Sequence, residues 1–218
     1  MKRFTIAIGF FLTIFLCECY AFDDGDFQYW NTESVSFKVG DDWQAQLDEE
    51  FRYGDDGGDF YRQHSDLGFT YSGFAKWLDV GINYRHIFQK KDDKWARECR
   101  PHLNITLKGK LCDWALRCRG RFEYRDTQNS NDGWRYRDKF TVKLPFKFSR
   151  LEIQPYIADE IFVDFDEREL NRNRLYAGFS MKLFKKLKAE IFYLWQRSKK
   201  DDEWIDVNIL GTKLKFSF

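Results

Sequence analysis

From residue 27 to its end the chain alternates apolar and polar side chains with a period of two, a pattern few folds sustain so long. Cys112, Trp114, Leu116, Cys118, Phe122 and Tyr124 share one parity, while Arg117, Arg119, Arg121, Glu123 and Arg125 share the other. Trp134, Tyr136, Phe140, Val142, Leu144 and Phe146 repeat this against Arg135, Arg137, Lys139 and Lys143. Leu78, Val80, Ile82 and Tyr84 stand against Asp79, Asn83 and Arg85. Successive side chains of a strand point to opposite faces, so each segment is a strand with one apolar and one polar side. The segments fall at 43–54, 60–73, 76–89, 94–108, 111–126, 134–148, 150–164, 171–184, 186–198 and 204–218, with a further one near 27–39.

Most of these exceed the five or six residues of an ordinary strand and reach the roughly 9–11 that a tilted strand needs to cross a bilayer. The breaks alternate in kind. Tight ones fall at 40–42, 73–76, 109–110, 148–150 and 184–186, and longer polar ones at 55–59, 90–94, 127–133, 164–170 and 198–203. Short turns at one end and long loops at the other are the habit of outer-membrane barrels. The expected fold is all-β, a transmembrane antiparallel up-and-down β-barrel. Bacterial single-chain barrels use even strand numbers, so the segment near 27–39 is read as two short strands hinged at 31–34. That gives twelve strands, with ten as the fallback.

The N-terminus follows another rule. Lys2 and Arg3 precede an apolar stretch over residues 4–16, and the segment ends in Cys19, Tyr20 and Ala21. This is the build of a secretory signal, so residues 1–21 are expected to be cleaved and 22–218 to form the barrel. Cys17 and Cys19 lack the small-residue run of a lipoprotein site. Cys99, Cys112 and Cys118 remain, an odd number that argues against a disulfide framework. Cys112 and Cys118, on one expected strand, stand about 20 Å apart, too far to bridge. All three are read as small surface fillers, and no metal or cofactor is implied. Basic residues number 36 and acidic ones 35, so no global field attracts nucleic acid.

Alternation alone does not say which face is inside. Rings crowd the apolar face near strand ends, at Trp43, Tyr53, Tyr71, Tyr84, Trp114, Tyr124, Trp134 and Trp195, as interfacial aromatic girdles do. On the polar face a tight turn at 109–110 would set Glu98 opposite Arg121 and Arg100 opposite Arg119. The next pairings expected are Glu123 with Arg137, Arg137 with Glu160, and Glu160 with Arg174. The candidate site is therefore a luminal charge lattice of Glu98, Arg121, Glu123, Arg137, Glu160 and Arg174. Opposite charges so placed support each other by about 0.2–1 kcal/mol in water and are far harder to leave unpaired in a dry lumen. Glu49 falls on the lipid-facing parity, where a bulge is expected.

The run of residues 117–125, then Trp134, Arg135, Tyr136 and Arg137, then Gln154, Pro155 and Tyr156 resembles a known family. Asp159, Glu160, Ile161 and Phe162, followed by Asn173, Arg174, Leu175 and Gly178, extend the likeness over nearly the whole mature chain. The family is that catalogued as domain of unknown function 2490. Resemblance to it implies an outer-membrane barrel of Gram-negative bacteria and supplies no catalytic residues. Leu214, Phe216 and terminal Phe218 also resemble the aromatic-ended signal that such proteins show to their assembly machinery.

Three functions are compatible with such a chain. The expected one is a structural barrel or narrow charged pore in the outer membrane, not an enzyme, in contact with outer-membrane lipids and lipopolysaccharide. A lipid-modifying enzyme is the alternative; its candidates are His64, His86 and His102, with Ser65 and Ser72. His64 and Ser65 are adjacent on a strand and point apart, and His86 has no serine two residues away. The third, a secreted soluble barrel holding an apolar ligand, must bury Arg121, Arg137, Arg174, Glu123 and Glu160 at several kcal/mol each unless well paired. The loop at 55–59 resembles a calcium-binding turn but lacks the ligand spacing. The charge runs at 89–94 and 199–203 read as loop tips.

Overall fold

A computed structural model describes residues 24–91, 94–128, 132–166, 168–200 and 203–218, without the side chains of residues 91 and 200. The expected leader at 1–21 lies outside the described residues. The described residues form eleven strands: β1 (Asp26–Val39), β2 (Trp43–Gly54), β3 (Asp59–Ala75), β4 (Leu78–Lys91), β5 (Lys94–Leu111), β6 (Trp114–Thr127), β7 (Gly133–Lys143), β8 (Gln154–Asp164), β9 (Glu169–Phe184), β10 (Leu187–Lys200) and β11 (Glu203–Ser217). Each pairs with its sequence neighbours and the ring closes between β1 and β11. Among the described residues no strand edge is left to recruit another strand.

The expected twelve strands are corrected to eleven, because residues 31–34 are not a hinge. Thr32, Ser34 and Ser36 are buried lumen-facing positions of one continuous strand. Thr32 donates to Glu50 at 3.2 Å and Ser34 to Asp48. Small polar residues there looked like a turn but satisfy luminal carboxylates. The odd number fixes the closure: β1 and β11 run the same way and pair in parallel, from Asp26 opposite Val207 to Ser36 opposite Ser217. The last residue is part of this seam. Phe218 N–H donates to Ser36 O at 2.9 Å, and its ring stacks on Phe37 at 5.3 Å.

The turn expected at 109–110 is also displaced. The β5–β6 hairpin turns at Cys112 and Asp113, where Cys112 takes a left-handed φ of 52°, and Leu111 pairs with Trp114. Gly109 stays within β5 at a φ that is not left-handed. Its lack of a side chain suggested a turn that the backbone does not need there. The corner at 148–150 widens into a connection over residues 144–153, closed by a bridge between Phe148 and Ile153. No bulge occurs at Glu49, which stays in register between Glu33 and Ser65.

The two faces differ as the alternation requires. Phe122, Trp134, Phe140, Ile82 and Tyr84 are exposed on the outer wall, whereas Glu123, Arg135 and Arg137 are buried within. Part of the lumen is apolar: Trp30, Tyr156, Ala158, Tyr176, Leu194, Val207 and Ile209 pack together, with Phe192 against them. A Cβ on Gly211 would lie 2.1 Å from the Phe192 ring, so glycine is what admits that ring.

Asn31 and Thr212 lie opposite each other on the outer side of the seam and are hydrogen-bonded at 3.0 Å. With Cys99→Ser, Cys112→Ser and Cys118→Ser as background, Asn31→Cys plus Thr212→Cys should form an internal disulfide on oxidation of the folded protein. Asn31→Cys plus Tyr193→Cys, one strand further round, should not. Gel mobility with and without reductant reads the result, and a barrel of ten or twelve strands closed antiparallel would not cross-link at the first pair.

Candidate functional site

Inward parity brings a continuous polar ladder around the lumen, one contact per neighbouring strand. Asn83 Nδ2 donates to Asp66 Oδ1 at 2.9 Å, Asn104 Nδ2 to Asn83 Oδ1 at 2.7 Å, and Arg121 Nε to Asn104 Oδ1 at 2.7 Å. Arg121 also reaches Glu123, at 3.5 Å. Arg137 then bridges two carboxylates, donating to Glu123 at 2.9 Å and to Glu160 at 2.7 Å. Arg174 stands 3.5 Å from Glu160 and donates to Gln196 at 2.8 Å. Gly68 makes room for this path, since a Cβ there would meet Asn83 Nδ2 at 2.0 Å. The ladder thus runs from β3 to β10.

Aromatic rings take part as well. The Arg52 guanidinium lies 3.5 Å and that of Arg174 4.9 Å from the Trp30 ring centre, so one ring on β1 meets cations from β2 and β9. Phe162, with 1% of its surface exposed, is approached by Arg137, Arg174, Arg135 and Arg172 at 4.5, 4.7, 5.3 and 5.5 Å. A cation over a desolvated ring gains about 2 kcal/mol. Phe162 therefore holds together arginines that would otherwise repel one another.

All six residues of the expected lattice face the lumen and are buried, but several pairings differ. Glu98 lies opposite Thr127, not Arg121, and its carboxylate takes Arg100 and Arg125, each at 2.7 Å. Glu123 lies opposite Arg135 and Arg137 opposite Phe162, while Glu160 does stand opposite Arg174. Arg100 does not face Arg119, which pairs with Thr106. The displacements come to six residues or two. Even displacements keep every side chain on its face, and an arginine is long enough to reach one step along the neighbouring strand. Hence Arg137 still meets both Glu123 and Glu160.

Sequence reasoning missed the neutral members Asn83, Asn104 and Gln196, which carry no charge signal. It also missed Asp66, which accepts from Arg85 at 2.7 Å and lies 3.6 Å from His102 Nε2. His64 and His102 are both luminal, His64 standing 3.6 Å from Glu50 and His102 bonding the Arg100 carbonyl. On the outer wall, register does what spacing along one strand does not. Ser65 lies between Glu49 and His86, and His86 between Ser65 and Cys99. Ser65 Oγ donates to Glu49 Oε2 at 2.8 Å. Ser72 instead donates to Asp79. Cys118 is more than a filler, for its thiol donates to Asp138 at 3.1 Å.

The molecule is thus a closed β-barrel with an apolar outer wall and an interior packed with ionic side chains. The chain belongs to the family described as a protein of unknown function (DUF2490), whose profile matches residues 27–206. The fold is similar to the crystal structure of the beta domain of the Bordetella autotransporter Brka, with a TM-score of 0.50 over 79% of this chain and 82% of that one. Identity between the two is 15%, so the likeness speaks for the fold alone. No curated protein matches the sequence.

Glu123 is wholly enclosed and takes contacts from Arg100, Arg121, Arg135 and Arg137. Truncating it strands several buried cations, so Glu123→Ala should lower stability by about 3–5 kcal/mol. Glu152→Ala, in the connection between β7 and β8, should leave it nearly unchanged. Urea titration of the detergent-folded protein, followed by heat-modifiable gel migration, compares the two.

Proposed function

We propose that this is an outer-membrane β-barrel of Gram-negative bacteria with a closed or very narrow charged lumen, serving a structural or restricted-passage role without catalysis. One observation carries the reading: large apolar side chains turn outward over strands of 11–18 residues while the ionic groups turn inward. Only a closed barrel can cross a bilayer with strands, because every backbone group must find a partner inside the sheet. An eight-stranded ring is just filled by side chains. Eleven strands enclose more, and here the surplus is taken up by arginines, Trp30, Phe162, Tyr156 and Tyr176. Glu123, Ile87, Leu194 and Ile209 have no exposed surface, which supports a closed lumen.

Export rests on the leader at residues 1–21, and insertion on recognition of terminal Phe218, whose ring is exposed beside Phe37. Outer-membrane lipid and lipopolysaccharide are the surroundings this wall suits. A water-soluble barrel is disfavoured by the same wall, on which Phe74, Ile82, Trp77, Leu111 and Phe184 are each more than half exposed. In planar bilayers the purified protein should give at most small, rare conductance steps. Large, steady currents would refute a closed lumen.

A second reading, hydrolysis of lipid esters at the wall, is favoured by the cross-strand row of Glu49, Ser65 and His86. Ser65 Oγ would attack the ester carbonyl while Glu49 takes its proton and passes it to the departing alcohol, and water would then cleave the acyl-serine to release the fatty acid and restore Ser65. Incubation with phospholipid and lipopolysaccharide, followed by analysis of released acyl chains, tests it. Turnover lost in both Ser65→Ala and His86→Ala would favour hydrolysis, and none from the unaltered protein would dismiss it.

A further inference from the structure

We propose that the loop-end mouth of the lumen is a binding site for a phosphate group. A cavity of about 220 Å³ opens there, lined by Arg62, Arg100, Arg125, Arg135 and Arg172 together with Glu98. These arginines come from β3, β5, β6, β7 and β9, and each lies within a few residues of a long loop. The strands are paired in sequence order around the ring, so their loop ends converge on one mouth. The cavity far exceeds the roughly 30 Å³ that one water occupies in the liquid.

Among the described residues, the charges lining the mouth do not balance. Arg100 and Arg125 share Glu98, and Arg135 is held by Glu123 at 2.6 Å. Asp164 lies opposite Arg135 in register and accepts from the backbone of Asp166. Arg62 and Arg172 meet no carboxylate among the described residues. Arg62 donates to the Gln89 amide oxygen at 3.2 Å, and Arg172 to Ser198 Oγ at 2.9 Å. Arg62 is 8% exposed, and its Nε is shielded from solvent with no partner. A buried guanidinium N–H left unmade is costly, and like charges gathered in a lumen repel.

An incoming anion removes both penalties. Several guanidinium forks converging from different strands suit an acceptor with many oxygens and more than one charge. Phosphate is such an acceptor, and arginine recognises it with two parallel N–H bonds. A single carboxylate would satisfy one fork and leave the others facing each other. Access is along the barrel axis from the loop side, so the phosphate arrives free or on a polar sugar.

The test is calorimetric titration of the folded, detergent-dispersed full-length protein with inorganic phosphate, pyrophosphate and glucose 1-phosphate at low salt, with chloride as the control. Saturable binding of phosphate and pyrophosphate is expected, weakening as salt rises, with no saturation by chloride. Arg62→Gln combined with Arg172→Gln should weaken it by about tenfold or more, the worth of one charged hydrogen bond lost. Glu98→Gln, which frees Arg100 and Arg125, should tighten binding, and it keeps the test decisive should the double variant not fold. Tighter binding of glucose 1-phosphate than of inorganic phosphate points to a sugar-borne group, and the reverse to the free ion. Phosphate behaving like chloride would overturn the proposal, as would affinity unmoved by both the arginine pair and Glu98→Gln.

Discussion

The lumen of this barrel holds more charge than a dry interior tolerates, and the arrangement that makes it tolerable organises everything else. Four arginines surround Glu123, and Arg137 is shared between Glu123 and Glu160. Such a network is satisfied only if the strands bearing its members stay in fixed register and the ring stays closed. Removing one partner exposes the desolvation cost of the rest. The ladder is therefore less a source of net stability than a condition on structure, since a slipped or opened barrel would strand ions that the closed one pairs. Aromatic rings extend the same logic, with Phe162 and Trp30 standing where further carboxylates would otherwise be required.

What the sequence disclosed and what it hid follow from the geometry of strands. A period of two assigns a face, and a face survives any even error of register. So the inward placement of Glu98, Arg121, Glu123, Arg137, Glu160 and Arg174 was legible although the β5–β6 hairpin turned six residues' worth of register away from expectation. Strand number was less legible because Asn31, Thr32, Glu33 and Ser34 have the composition of a turn. Only their neighbours, Glu50 and Asp48, explain why polar residues belong inside a strand there. The Ser65–His86 juxtaposition was hidden for a related reason. The two are far apart along the chain, and no spacing on one strand reveals a neighbour across the ladder.

The arginine mouth lies deeper still. Arg62, Arg100, Arg125, Arg135 and Arg172 sit on separate strands, and each alone resembles any polar-face arginine. Their convergence depends on ring closure, which sets five strand ends around one opening. Closure also separates functions along the axis. Mid-lumen arginines share the enclosed carboxylates of Glu123 and Glu160, while at the loop end Arg62 and Arg172 meet none among the described residues. At the turn end Lys215 meets Glu190 at 2.7 Å and Lys213 approaches Asp48 at 3.6 Å.

The wall obeys the same accounting with fewer polar groups. Carboxylates on the outward parity are expensive beside hydrocarbon, and most are matched. Glu49 is bonded by Ser65, Asp138 by Cys118, and Asp159 by Asn173 at 2.6 Å. At the seam Tyr29 and Thr212 share a hydroxyl contact at 2.8 Å, and Thr212 continues to Asn31. Parallel pairing is slightly weaker per residue than antiparallel, so side-chain bonds across it add where the ring most needs them. Glu33 lies beside this seam, directly opposite Glu49. Two acids so placed repel, and the Ser65 bond to Glu49 draws that carboxylate toward β3 and away from Glu33. An odd-numbered up-and-down ring must close in parallel, and the side-chain bonds among Tyr29, Asn31 and Thr212 reinforce that closure on its outer side.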